Sequence, residues 1–160
     1  MIILSIGTNI GNRKANIENA ITALNAIGTV TAVSPIYSSK PWGFESENGF
    51  YNIALTMESD LLPLDLLRET QRIEKELGRT AKTTAEYADR VIDIDIIAYG
   101  QTIIETTELT IPHRLMHIRN FVLYPLADIA PSWMHPMLHL TAQELKNQCP
   151  DTSIINILHH

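Results

Sequence analysis

The order of elements along this chain predicts an α+β fold: a ferredoxin-like βαββαβ core with C-terminal additions, its helices packed on a mainly antiparallel sheet. Three observations carry that expectation. Apolar runs of strand length, rich in β-branched residues, recur at residues 2–6, 30–37, 51–57 and 90–97. Stretches with helical spacing fall after the first run and after the third. Glycine, proline and asparagine mark the changes between them.

The first strand, residues 2–6, stops at Gly7-Thr8-Asn9-Ile10-Gly11-Asn12, a turn by composition. Residues 14–27 then place Ile17, Ala20, Ile21, Leu24 and Ile27 on one helical face, with Gly28 as the stop. Strands follow at 30–37 and 51–57. Between them, residues 38–49 hold Pro, Gly, Glu and Ser and form a long exposed loop. Pro63 suits the first turn of a second helix, which carries Leu64, Leu67, Ile73 and Leu77 and ends at Gly78. Residues 79–89 lack apolar periodicity and form a second long loop. The fourth strand ends at Gly100, and a short strand is expected at 101–104. Beyond it lie a Pro112-His113 turn, an apolar segment at 121–129 and a short helix at 142–148.

Composition bounds the function. A chain of 160 residues with 45% hydrophobic content is the size of one domain, taken as residues 1–160. A net charge of −6 argues against nucleic acid or a membrane surface as partner, and leaves room for a local basic pocket. One cysteine, Cys149, excludes an intrachain disulfide framework and suits a reducing compartment. The apolar start lacks the basic flank of a signal peptide, and no apolar run reaches membrane-span length. The expectation is a cytoplasmic protein.

The fourth strand reads Arg90-Val91-Ile92-Asp93-Ile94-Asp95-Ile96-Ile97. Alternation puts Asp93 and Asp95 on one side and Ile92, Ile94 and Ile96 on the other. Two like charges beside apolar packing are costly without a cation between them, and Mg²⁺ takes such oxygen ligands together with substrate phosphates. A lone pair of this kind is more often a solvated face of an edge strand. The surroundings change the balance. Arg79, Lys82 and Arg90 precede the pair, and Arg114 and Arg119 follow the Pro-His turn, as phosphate binding requires. His113 is placed to donate to a phosphate.

Other patterns are weaker. Gly7-Thr8-Asn9-Ile10-Gly11 matches neither the dinucleotide fingerprint nor the P-loop and reads as a strand–helix turn. His113/His117 and His135/His139 have zinc-like spacing but no Glu of H-E-x-x-H, and Pro136 opposes a continuous helix. Phe50, Tyr51 and Asn52 follow the loop that contains Trp42. Such aromatics are core or lid packing by default; in the functional reading a flat heterocycle stacks on a ring while the Asn52 amide reads its amino-oxo edge.

Taken in order, these segments resemble the 6-hydroxymethyl-7,8-dihydropterin pyrophosphokinase family of folate biosynthesis. The matching segments are residues 6–11, Ser34-Pro35-Ile36-Tyr37, Lys40-Pro41-Trp42-Gly43, Phe50-Tyr51-Asn52, Gln71-Arg72-Ile73-Glu74 and Gly78-Arg79. The aspartate strand, Ile111-Pro112-His113 and residues 119–126 complete the series. The resemblance implies pyrophosphate transfer from ATP to the pterin hydroxymethyl oxygen, leaving AMP. It implies that Asp93 and Asp95 hold two Mg²⁺ ions, that one of these carboxylates also faces the substrate hydroxyl, and that Arg79, Arg90 and Asp95 serve catalysis. Phe50 and Phe121 would flank the pterin, with Asn52 and groups near Ser39 and Trp42 at its edge. Gln71, Arg90, Thr110, His113 and Arg119 match ATP-binding positions. The implied partners are the two small substrates, and the expected state is a monomer. Ala88-Asp89 before Arg90 and Ala81 after Arg79 depart from the family pattern, which implies a second loop that closes differently. Two other readings use the same residues: a Mg²⁺-dependent nucleotidyl or phosphotransferase on another heterocycle, and a non-catalytic ferredoxin-like binding module.

Overall fold

The computed structural model describes residues 1–39, 49–78 and 91–158. Its elements in chain order are β1 (Ile2–Thr8), α1 (Arg13–Asn25), β2 (Thr29–Val33), β3 (Tyr37–Ser39), β4 (Phe50–Glu58), α2 (Pro63–Glu76) and β5 (Asp93–Tyr99). Then come β6 (Ile104–Glu105), β7 (Thr110–Ile111), a 3-10 turn at Met116–Ile118, α3 (Asn120–Ile129), α4 (Ala142–Gln148) and β8 (Ile155–Ile157).

The main sheet runs β5-β1-β4-β3-β8, with β2 also paired to β4. Its described pairings are all antiparallel. Central β1 is buried along its whole length, which explains its continuous apolar run. One face carries Leu4, Ile6, Ile53, Leu55, Ile94 and Ile96 against Ile17, Ala20 and Leu24 of α1 and Leu66 and Ile73 of α2. The other face carries Ile3, Ala54 and Ile97 against Val122, Leu123 and Leu126 of α3 and Leu145 of α4, with Trp133 between. The C-terminal additions therefore form a second helical layer on the face opposite α1 and α2.

Local chemistry sets the boundaries. Asn12 caps α1, its side chain accepting the Ala15 N–H at 3.0 Å. Pro63 opens α2. The expected single strand at 30–37 is two strands, because Pro35 has no N–H to give the ladder. Ser34 bridges the break: its N–H donates to the Ala54 carbonyl and its Oγ accepts the Ala54 N–H, each at 2.9 Å. The short strand expected at 101–104 forms instead at Ile104–Glu105 and pairs with β7. The apolar segment at 121–129 is helical despite Pro125. The Ile111–Pro112 peptide is cis.

Candidate active site

The second helical layer covers only part of its sheet face, and the rest of that face holds the polar residues. Asp93 lies opposite Gly7, and Asp95 opposite Ser5. Gly7 in turn lies opposite Asn52, and Asn52 opposite Tyr37. Directly opposed residues share a face, so Asp93, Gly7, Asn52 and Tyr37 form one row across four strands. At the usual strand spacing, the backbones of Asp93 and Asn52 are about 10 Å apart. Both aspartates are half-buried, while Ile94 and Ile96 point into the core beneath them.

The floor of the row is glycine for a steric reason. A Cβ on Gly7 would stand 2.8 Å from Asn52 Oδ1 and 3.7 Å from Phe50 Cδ1. The Asn52 amide and the Phe50 ring thus lie directly over bare backbone. Buried Asn52 has its orientation set by its Nδ2, which donates to Ser39 Oγ at 3.1 Å. That leaves Oδ1 aimed over Gly7 as an acceptor. Arg13, at the start of α1, holds the root of β4: its Nη1 donates to the Gly49 carbonyl at 2.8 Å, and its guanidinium carbon lies 4.1 Å from the Tyr51 ring centroid.

The start of β5 is anchored twice. Thr8 Oγ1 donates to the Val91 carbonyl, and Asn16 Nδ2 reaches the same carbonyl at 3.2 Å and the Ile10 carbonyl at 2.9 Å. From the opposite layer, buried Glu74 of α2 accepts the Ile94 N–H at 2.8 Å, between the two aspartates in sequence. β5 is an edge strand, so this carboxylate replaces a missing ladder partner. Glu74 and Thr8 carry no assigned role in the sequence reading. The signals were present: an acid that completes a helix turn among apolar residues, and a polar side chain at the end of a buried strand.

The residues expected to take ATP are dispersed. The His113 N–H donates to the Ile97 carbonyl at 2.9 Å, which fixes it to β5. Its Nδ1 accepts the Leu115 N–H at 3.2 Å, so the neutral ring carries its proton on Nε2 as a donor. Thr110 stands on β7. Arg119 and Phe121 flank the start of α3, with the guanidinium 5.6 Å from the ring centroid, and Arg119 is 5% exposed. Gln71 stands apart, exposed on α2 on the other side of the sheet. Trp42, Arg79 and Arg90 lie outside the described residues, as do Ala81 and Ala88-Asp89.

Among the described residues, no three His, Cys, Asp or Glu side chains gather closely enough to hold a metal by themselves. Among the described residues the histidine pairs form no such cluster. His135 is instead structural: its Nδ1 accepts the N–H groups of Met137 and Leu138, both at 3.1 Å. Two half-buried carboxylates on one face, with Glu74 committed to a backbone N–H, fit a different donor set. Mg²⁺ is commonly held by one or two carboxylates, with phosphates and water completing the shell.

The family model for 7,8-dihydro-6-hydroxymethylpterin-pyrophosphokinase (HPPK) matches residues 3–131. The chain belongs to the HPPK family. A Porphyromonas gingivalis 2-amino-4-hydroxy-6-hydroxymethyldihydropteridine pyrophosphokinase is 42% identical over 139 residues, covering 85% of this chain and 94% of that one. The Aquifex aeolicus protein of the same name is 37% identical over 145 residues, covering 91% and 89%. The folic acid synthesis protein FOL1 of Dictyostelium discoideum is 41% identical over 151 residues. This chain aligns over 94% of its own length there but spans only 23% of that longer protein. A Plasmodium falciparum HPPK-DHPS crystal structure superposes with a TM-score of 0.72 at 16% identity, over 92% of this chain and 41% of that one, and supports the fold. HPPK membership makes this chain an ATP-dependent pyrophosphokinase of folate synthesis. Among the described residues, no helix is long and apolar enough to cross a membrane.

Proposed function

We propose that residues 1–160 act as one monomeric, cytoplasmic catalytic domain that moves pyrophosphate from ATP to the hydroxymethyl oxygen of 6-hydroxymethyl-7,8-dihydropterin on the row described above. The observation that carries this reading is the juxtaposition of Asp93 and Asp95 with Asn52 over the bare Gly7 backbone. The span between them suits a bicyclic heterocycle whose hydroxymethyl arm points at the carboxylates. Asn52 Oδ1 accepts from the pterin amino edge, groups near Ser39 and Trp42 complete that edge, and the rings of Phe50 and Phe121 flank the heterocycle.

Asp93 and Asp95 would hold two Mg²⁺ ions. Held there, they would supply the positive charge that stabilises the phosphates and would favour loss of the hydroxyl proton. The hydroxymethyl oxygen bonds to the β-phosphorus as the bond to the α,β-bridging oxygen breaks. AMP leaves with that electron pair, and the Asp95 carboxylate receives the hydroxyl proton. His113 Nε2–H, Arg119, Thr110 and Arg90 bind ATP, Gln71 reaches it from the α2 layer around the β5 edge, and Arg79 and Arg90 offset charge that develops during transfer. Such transfer depends on positioning and charge stabilisation more than on a strong base.

Phosphorus NMR of the protein with ATP, Mg²⁺ and the pterin alcohol tests the reading. AMP and a pterin diphosphate are expected. ADP or free inorganic pyrophosphate would indicate a different transferase, and no turnover a binding module. Asp95→Ala should lower kcat by roughly a thousandfold, as loss of a central charge-stabilising group does. Full turnover by that variant would remove Asp95 from the mechanism.

A further inference from the structure

The segment beyond α4 makes contacts that the proposed reaction does not use. β8 pairs antiparallel with β3, placing Ile157 opposite Tyr37, Asn156 opposite Ser38 and Ile155 opposite Ser39. The Leu158 N–H extends this pairing to the Ile36 carbonyl at 2.8 Å. A few residues earlier, the same segment meets α3. Asp151 Oδ2 accepts the Asn120 N–H at 3.1 Å, and Asp151 Oδ1 accepts the Ser153 N–H at 2.9 Å. Asn120 Nδ2 donates back to the Ser153 carbonyl at 2.5 Å.

α3 has no cap of its own, because Arg119 at the N-cap position makes no side-chain capping bond. The first N–H groups of a helix lack intrahelical acceptors, and the helix dipole favours an anion beside them. Asp151 supplies both the acceptor and the charge from 31 residues away in sequence. The turn that it caps contains Phe121 and follows directly on Arg119, while the strand that β8 extends ends at Ser39. One short segment therefore ties the start of α3 to the strand beside Phe50 and Asn52. This segment lies beyond the part of the chain that the family model matches.

We infer that residues 151–158 are a strap that holds Arg119 and Phe121 in register with β3, with Asp151 as a positioning residue for both substrates. The inference rests on the assignment of Arg119 to ATP and Phe121 to the pterin. A tail that merely covers a sheet edge would change thermal stability and leave substrate affinity alone. A strap that positions the first turn of α3 changes KM.

Steady-state kinetics with ATP and the pterin varied separately, alongside thermal unfolding of the same samples, distinguish these roles. D151A should raise both KM values about fivefold, the factor that loss of a typical helix cap implies, with kcat within about twofold. D151N retains an oxygen that can accept the Asn120 N–H and should recover most of the loss. Ending the chain after Pro150 removes the strap and should raise both KM values further. A lower Tm in D151A with both KM values unchanged would overturn the inference, as would a chain ended after Pro150 that kept both. R119A and F121A are measured in parallel. If they leave KM unchanged, the substrate assignment fails and the inference falls with it. If they raise KM while D151A does not, the inference alone fails.

Discussion

Gly7 shows how a single missing methyl group shapes the candidate site. Asn52 Oδ1 occupies the space that a Cβ there would need, 2.8 Å away, and the Asn52 side chain is already bonded to Ser39. In Gly7→Ala the amide must move off its alignment. We expect the pterin KM to rise roughly tenfold, equivalent to about 1.4 kcal/mol, with the ATP KM nearly unchanged. Tyr37 poses a different residue-scale question. Its hydroxyl donates to Asp128 Oδ2 at 2.5 Å, tying β3 to α3. Burial, reinforced by this carboxylate, holds the phenol well above its ordinary value of 10.0. A group whose pKa is raised on folding adds stability that is complete below the unfolded value and fades as pH rises through the range up to the folded one. Wild type should therefore lose Tm above pH 10 more steeply than Tyr37→Phe. Near neutral pH that variant should be less stable by about 1–3 kcal/mol, since it leaves the Asp128 carboxylate without its donor. Thermal melts above pH 10 measure the first effect and denaturant titrations at pH 7 the second.

At the scale of elements, the short turns beside the sheet do the fastening. In Arg13→Ala the Gly49 carbonyl loses its donor and the Tyr51 ring its cation, so the start of β4 loosens beneath Phe50. A threefold to tenfold rise in pterin KM, about 0.7–1.4 kcal/mol, should accompany a small loss of Tm, measurable by kinetics and calorimetry. The turn that follows Trp133 is held by His135. Burial, with the nearby His117 and His139, lowers the pKa of that ring from its ordinary 6.5. Its Nδ1 must stay unprotonated to accept from Met137 and Leu138. Stability from this group is complete above pH 6.5 and falls as pH drops below it. Asn at position 135 keeps an acceptor that does not titrate, so His135→Asn should flatten the decline in Tm between pH 7 and pH 5. Elements of this kind were partly legible in the sequence. Helical spacing located α1 and α2, and β-branched runs located β1, β4 and β5, because burial imposes those periods. β2 and β3 were not separated, since the Ser34 side chain that bridges the Pro35 break acts through a partner strand. β8 was missed because three residues are too few for a strand period to show, although Ile155 and Ile157 are apolar.

At the scale of the whole molecule, the sequence disclosed the site's chemistry better than its support. Asp93, Asp95, Asn52 and Phe50 stand out locally as polar or aromatic residues in apolar strands, and pairing through Gly7 sets them in one region. Glu74, Asn16, Arg13 and Asp151 act across 20 to 75 residues of chain, a range at which periodicity carries no signal. The same long-range ties govern how the domain unfolds. Both helical layers rest on one sheet, so β1 presents Leu4 and Ile6 to one core and Ile3 to the other. Neither core can open without exposing the back of the strand that serves its neighbour. Calorimetry of the full chain should therefore show one transition, with calorimetric and van't Hoff enthalpies equal. A chain ended after Pro131 keeps the whole segment matched by the family model but loses Trp133, Ala142 and Leu145 from the second core. Their burial contributes roughly 5 kcal/mol, comparable with the entire stability of a small domain. That shortened chain should show no cooperative transition and no near-ultraviolet dichroism. A sharp transition from it would mean that the α1/α2 layer and the sheet form a self-sufficient unit, and that the second layer is an accessory to folding.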